Sequence, residues 1–111
     1  MKTRKRKRRK FKREGKFWVY IVECGDDTFY TGYTPHIKKR IELHNKGKGA
    51  KYTRDRRPVR LVWKKKYHQF KPAFKLEKTI KRLTRKQKEI LVGGRRLDMV
   101  LKEARKNGKK I

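Results

Sequence analysis

Cysteine, acidic residues and long apolar runs are all scarce in this sequence, and each scarcity narrows what the chain can be. A single cysteine, Cys24, among 111 residues forms no internal disulfide and offers no metal-ligand spacing, so the fold rests on packing alone. Beside a turn signal, Cys24 reads as small apolar filler rather than as a reactive thiol. No stretch approaches the roughly 18 consecutive apolar residues that a membrane span needs. The basic N-terminus is not followed by the apolar segment of a secretory leader, so the expected location is the cytoplasm, with the nucleoid as a site within it. Only 10 acids stand against 39 Lys and Arg, for a formal net charge of +29 and a pI of about 10.9. Such an excess is costly in self-repulsion. A nucleic-acid backbone, with its dense phosphates and releasable counterions, is the commonest polyanion that relieves it, and an anionic membrane surface is the weaker alternative.

A chain of 111 residues has room for one domain and one modest core. With 33% hydrophobic and 44% charged residues, the apolar side chains are expected in elements that each bury one face: a small sheet with helices packed against it. Residues 1–16 hold eleven Lys/Arg, one acid (Glu14) and one sizeable apolar residue (Phe11). Nothing there can bury a core, so this stretch reads as a disordered basic arm. Removing its +10 leaves +19 for residues 17–111, so the folded part is itself strongly basic.

From Phe17 to Glu23 the chain is β-branched and aromatic. It runs into the turn signal Gly25-Asp26-Asp27 and then into residues 28–33, which predicts a hairpin. Thr34 as N-cap, Pro35 at the first helical position and Gly47 as a stop predict a helix over residues 35–46, with Ile37, Ile41 and His44 in phase. Residues 47–53 read as a basic, glycine-punctuated loop with room for one helical turn, closed by Arg56-Arg57-Pro58. Val59, Leu61 and Trp63 alternate with Arg60 and Lys64, as in a strand with one face buried. From about Lys71 the pattern turns helical, with Leu76, Ile80, Leu83 and Ile90 or Leu91 on one side, until Gly93-Gly94. A last helical piece carries Leu97, Val100 and Leu101, ahead of a basic tail. The expected fold is α+β: a small three-stranded antiparallel sheet flanked by helices, in the order β-β-α-β-α-α.

Several residues have the chemistry of a site. Tyr20 and Tyr30 fall on the two strands of the hairpin, where register can bring both phenols to one side; equally, tyrosines are ordinary strand formers. Arg40 and His44 lie four apart on the first helix, at the margin of its apolar stripe. A guanidinium there needs a carboxylate or phosphate to face, whereas His44 alone also fits a satisfied core-edge histidine. Glu77 is the only acid among fourteen Lys/Arg between Arg56 and Lys88. A lone carboxylate on a phosphate-binding surface repels the ligand, unless it holds a hard cation such as Mg²⁺ through one carboxylate, waters and phosphate oxygens. The plainer reading is an exposed i,i+4 pair with Lys81. Periodicity leaves both open, since Glu77 sits about 100° from Leu76, at the stripe's edge.

Taken together, these residues resemble the GIY-YIG nuclease superfamily, and within it the small stand-alone, UPF0213-like members. Trp18-Val19-Tyr20 stands at the first motif and Tyr30-Thr31-Gly32 at the second, with the tyrosines ten positions apart. Arg40 and His44 follow on the first helix, and Glu77 sits early on the helix after the third strand. The resemblance covers roughly residues 17–92, including residues 47–53 and 83–88. It implies residues 1–16 as an arm, 17–92 as the nuclease domain, and 93–111 as a C-terminal helix and tail. It further implies phosphodiester hydrolysis with one divalent cation, Mg²⁺ or Mn²⁺, held by Glu77, waters and the scissile phosphate.

In that scheme Tyr20 is the general base, if its proton is relayed or cationic neighbours lower its pKa from near 10. Tyr30 and His44 position the water or relay its proton, and Arg40 offsets phosphate charge. Lys48, Lys51, Arg54, Arg56 and Arg57 are the expected nucleic-acid contacts. Two departures stand out: Trp18 replaces the glycine of the first motif, and Thr31 the isoleucine of the second. The expected activity is endonucleolytic cutting of DNA, selective for structure rather than sequence, with RNA as a possible substrate. The competing class is a non-catalytic RNA-binding or ribosome-associated protein, for which charge suffices but which has no use for the five-residue constellation.

Overall fold

The computed structural model describes residues 14–108, so most of the expected basic arm, residues 1–13, lies outside the described residues. Three strands, β1 (Glu14–Glu23), β2 (Phe29–Thr34) and β3 (Arg60–Gln69), form one antiparallel sheet with β1 in the centre. The helices are α1 (Ile37–Asn45), the single turn α2 (Lys51–Arg54), α3 (Phe70–Lys81), α4 (Arg85–Val92) and α5 (Leu97–Gly108). This is the expected small α+β arrangement. Among the described residues no helix is long and apolar enough to cross a membrane.

The central strand departs from the one-face expectation, because it is buried on both sides. Phe17, Val19 and Ile21 point into a core built with Ala73, Leu76 and Ile80 of α3, Leu91 of α4, and Val100 and Ala104 of α5. The alternate residues Tyr20, Val22 and Cys24 form a second cluster with Val59, against which Ile37 and Ile41 of α1 pack. The unbroken apolar run from Phe17 to Val22 is the signature of a doubly covered strand. Cys24 is buried filler as expected.

A bulge changes the third strand as well. Ile21 pairs with Trp63, but Val22 pairs with Leu61, so Val62 is an extra residue. Leu61 therefore packs on the Tyr20 side, while Val62 and Trp63 pack on the other, and the simple alternation of 59, 61 and 63 on one face does not hold.

Element ends differ for local reasons. β1 begins at Glu14, inside the stretch read as an arm. Thr34 ends β2 instead of capping α1, its hydroxyl accepting the His36 N–H at 3.1 Å, and the helix starts at Ile37. The long helix expected after Lys71 is two, since a capping box restarts it. Thr84 Oγ1 accepts the Gln87 N–H at 3.1 Å, and Gln87 Oε1 accepts the Thr84 N–H at 2.8 Å. The Thr84-x-x-Gln87 spacing is a sequence signal for that restart. The break turns Leu83 into the core.

Candidate active site

Register places Tyr20 opposite Gly32 and Val22 opposite Tyr30. With side chains alternating along each strand, Tyr20 and Tyr30 share the face covered by α1. The Tyr20 ring lies across Gly32, where an added Cβ would stand 2.5 Å from the phenol oxygen and 2.7 Å from Cζ. Any other residue at 32 displaces the phenol.

α1 brings His44 down onto this face, where it is fully buried. Its Nε2 lies 2.8 Å from Tyr20 Oη and its Nδ1 2.8 Å from Thr53 Oγ1 on α2. The Thr53 hydroxyl donates its own proton to the Ala50 carbonyl at 3.0 Å, so towards His44 it can only accept. The network therefore assigns the proton of neutral His44 to Nδ1 and leaves Nε2 to accept the Tyr20 O–H. Burial first, and the Arg40 charge second, lower the His44 pKa to about 4, which keeps the ring neutral at physiological pH. Gly49 makes room for it, since a Cβ there would run into the ring and stand 2.9 Å from the His44 Cα. Gly49 and Thr53 thus belong to the site. Sequence reading noted their loop but gave them no role, because their partner is brought in by folding.

Burial also governs Tyr20, pushing its pKa up to about 12 against the opposing contact from Arg40. In the free chain the loss of water outweighs Arg40, so the lowering that a general base would ask of its cationic neighbours is not present there. The 2.8 Å contact with His44 Nε2 offers the phenol's proton a route that needs no free phenolate.

Tyr30 sets its ring edge-on to His44, centroids 5.5 Å apart, and stacks on Tyr52 at 5.8 Å. Arg40 is partly buried, its Nε has no hydrogen-bond partner, and no carboxylate among the described residues lies within ion-pair distance of it. A buried, unpartnered guanidinium nitrogen is costly in the free protein and is satisfied by an anionic oxygen.

Glu77, on α3, pairs with Lys81 at 2.9 Å with its side chain only 15% exposed. It makes the i,i+4 pair of the plainer reading, and it does so from an inward position rather than out in solvent. Burial raises the pKa of Tyr20 and of Tyr33, and the Glu77 charge adds to it at both phenols. No group of three or more His, Cys, Asp or Glu capable of holding a metal occurs among the described residues. The donor set is one carboxylate, which fits a hydrated hard cation shared with substrate phosphate rather than an all-protein cage.

Of the expected nucleic-acid contacts, Lys48, Lys51 and Arg54 are exposed around α2. Arg56 is half-buried and Arg57 is exposed, and each also makes a contact within the loop. Arg56 faces Asp26 at 3.1 Å, donates to the Tyr52 carbonyl at 2.8 Å and lies 4.0 Å over the Tyr52 ring. Arg57 Nε donates to the Arg54 carbonyl at 2.8 Å. Both act as clamps on the loop that carries Thr53.

Residues 16–90 match the family model described as the GIY-YIG catalytic domain. A UPF0213 protein of Bacillus cereus is 51% identical over 76 residues, covering 68% of this chain and 79% of the relative. The UPF0213 protein YazA of Bacillus subtilis is 44% identical over 79 residues, 71% of this chain and 80% of its own. Among solved structures, the solution NMR structure of the protein EF2693 from E. faecalis is 39% identical and matches with a TM-score of 0.50 over 72% of this chain and 88% of that one.

Proposed function

The chain belongs to the GIY-YIG catalytic domain family of nucleases, and from that premise we propose that it is a metal-dependent endonuclease that hydrolyses phosphodiester bonds in DNA, selecting substrate structure rather than sequence. The observation that carries this reading is the buried chain Ala50–Thr53–His44–Tyr20 ending beside the unpartnered Nε of Arg40. A purely electrostatic binder has no use for a desolvated proton wire next to an anion-seeking guanidinium.

In this scheme the scissile phosphate meets Arg40, which neutralises its charge as the transition state forms. Tyr20 Oη accepts a proton from the attacking water while passing its own proton to His44 Nε2, so the phenol stays neutral throughout. Water's oxygen bonds to phosphorus, and the P–O ester bond breaks with its electron pair going to the leaving sugar oxygen, which takes a proton from solvent. Thr53 holds His44 in the receiving tautomer. A phosphate at Arg40 also offsets the second of the two causes that depress His44 basicity, so substrate itself readies the proton acceptor. Glu77, waters and phosphate oxygens would hold Mg²⁺ or Mn²⁺, which when bound supplies Lewis-acid stabilisation of the phosphate charge.

The test is an endonuclease assay on labelled duplex, single-stranded, flap and branched DNA and on RNA, with Mg²⁺ or Mn²⁺, comparing wild type with Glu77→Ala and measuring binding for both. Metal-dependent cutting that Glu77→Ala loses while still binding is the expected result, with flap or branched DNA cut fastest. Equal tight binding with no cutting by either protein overturns it in favour of an RNA-binding protein.

A further inference from the structure

At the end of the sheet, past Trp18, lies an open groove of about 1000 Å³ that the proton wire does not use. It lies where β2 ends: Thr34 is the last residue of that strand, opposite Trp18, while β1 runs on toward Glu14 paired only with β3. Lys16, Lys38, Lys39 and Lys66 line it, together with Trp18 and, from the other side of the sheet, Phe17 and Tyr33, and among the described residues no carboxylate does. The volume is at the upper end of the roughly 300–1,000 Å³ of pockets that take small organic molecules, and the lining chemistry is cationic and aromatic.

Trp18 is the distinctive member, standing at the position where the first family motif has a glycine. It stands two residues before Tyr20 on the same strand face, its Cα about 6–7 Å along the strand from that of Tyr20. The exposed ammonium groups of Lys64 and Lys66 rest over it, at 5.1 and 5.6 Å from a ring centroid. Exposed cation–π contacts of this kind are weak, about 2- to 5-fold in equilibrium terms. Stacking of a nucleobase on an aromatic ring is worth roughly 5- to 150-fold. A base therefore displaces the lysines from the ring, and the lysines are then placed to meet the flanking phosphates. A base offers its face in this way only when it is unpaired.

We propose that this groove is a single-stranded nucleic-acid subsite, in which an unpaired base stacks on Trp18 and Lys38, Lys39, Lys64 and Lys66 take the adjoining phosphates. Its role as a substrate subsite rests on the nuclease reading above, for which it supplies a physical source of preference for flaps and single strands; the binding itself does not.

The test is run on the full chain without divalent metal, so that binding is read independently of cutting. In Trp63→Phe, which leaves Trp18 as the only tryptophan, single-stranded oligothymidylate quenches the emission, whereas a blunt duplex of equal length and polyglutamate do not. By anisotropy, Trp18→Ala in the otherwise unaltered chain weakens single-strand binding by roughly 5- to 150-fold, Trp18→Phe recovers most of it, and duplex affinity stays within about 2-fold. An unquenched Trp18 at saturation, equal quenching by polyglutamate, or an equal loss on duplex and single strand overturns the subsite. Quenching without any metal-dependent cutting overturns the nuclease reading and leaves the subsite standing; cutting with an unquenched Trp18 does the reverse.

Discussion

The two faces of the central strand are made from alternate residues of one apolar run and have opposite characters. On the side of α3, α4 and α5, Phe17, Val19 and Ile21 meet aliphatic side chains, and burial there is stability. On the side of α1, Tyr20 meets His44 and Arg40, and His44 in turn meets Thr53, and burial there changes proton affinities. The same loss of water that stabilises Ile80 raises Tyr20 to about 12 and lowers His44 to about 4. Strand parity thus puts the larger aliphatic core and the Tyr20–His44 pair on opposite sides, although the α1 side also packs Val22, Cys24 and Val59 and Glu77 comes from α3.

The separation is broken most directly by a matched pair of substitutions. Tyr20→Phe should cut turnover by roughly 10²- to 10⁴-fold, since the relay loses its first member, with only about 1–2 kcal/mol of stability lost from the unpaired His44 nitrogen. Ile80→Ala should cost about 2–5 kcal/mol of stability and leave kcat nearly unchanged wherever the variant is folded. Denaturation and single-turnover cleavage on both proteins check this. If Ile80→Ala slows the chemistry as much as Tyr20→Phe does, the two faces are coupled.

A pH titration sharpens the comparison. Because the folded pKa of His44 lies below its ordinary value of 6.5, the neutral ring's contribution is fully present above about 6.5. It is lost as pH falls through 6.5 toward about 4, a difference on the order of 3 kcal/mol. Urea denaturation between pH 7 and 4 should show this slope, and His44→Gln should flatten it relative to wild type.

The smallest expected effect sits on the apolar face, at its one polar flaw. Thr31 is buried and its hydroxyl has no hydrogen-bond partner among the described residues. Thr31→Val keeps the branched shape and removes the desolvated hydroxyl, so it should stabilise the protein by about 1 kcal/mol, read as a higher denaturation midpoint with unchanged cleavage.

What the sequence determined by itself is whatever follows from covalent periodicity. The 3.6-residue helical turn put Arg40 beside His44, glycine and proline marked the turns, and strand alternation made a shared face for Tyr20 and Tyr30 available, which the hairpin register then selected. Folding decided the rest, because it depends on which distant segments pack together. The bulge at Val62 sent Leu61 and Trp63 to opposite sides, and the capping box at Thr84 divided one helical pattern into two helices. Thr53 and Gly49 reach His44 only because α2 folds back on α1. The protonation states, too, belong to the tertiary structure: a tyrosine's or histidine's proton affinity is set by the water it loses and the charges brought near it, and neither is written in the spacing of residues along the chain.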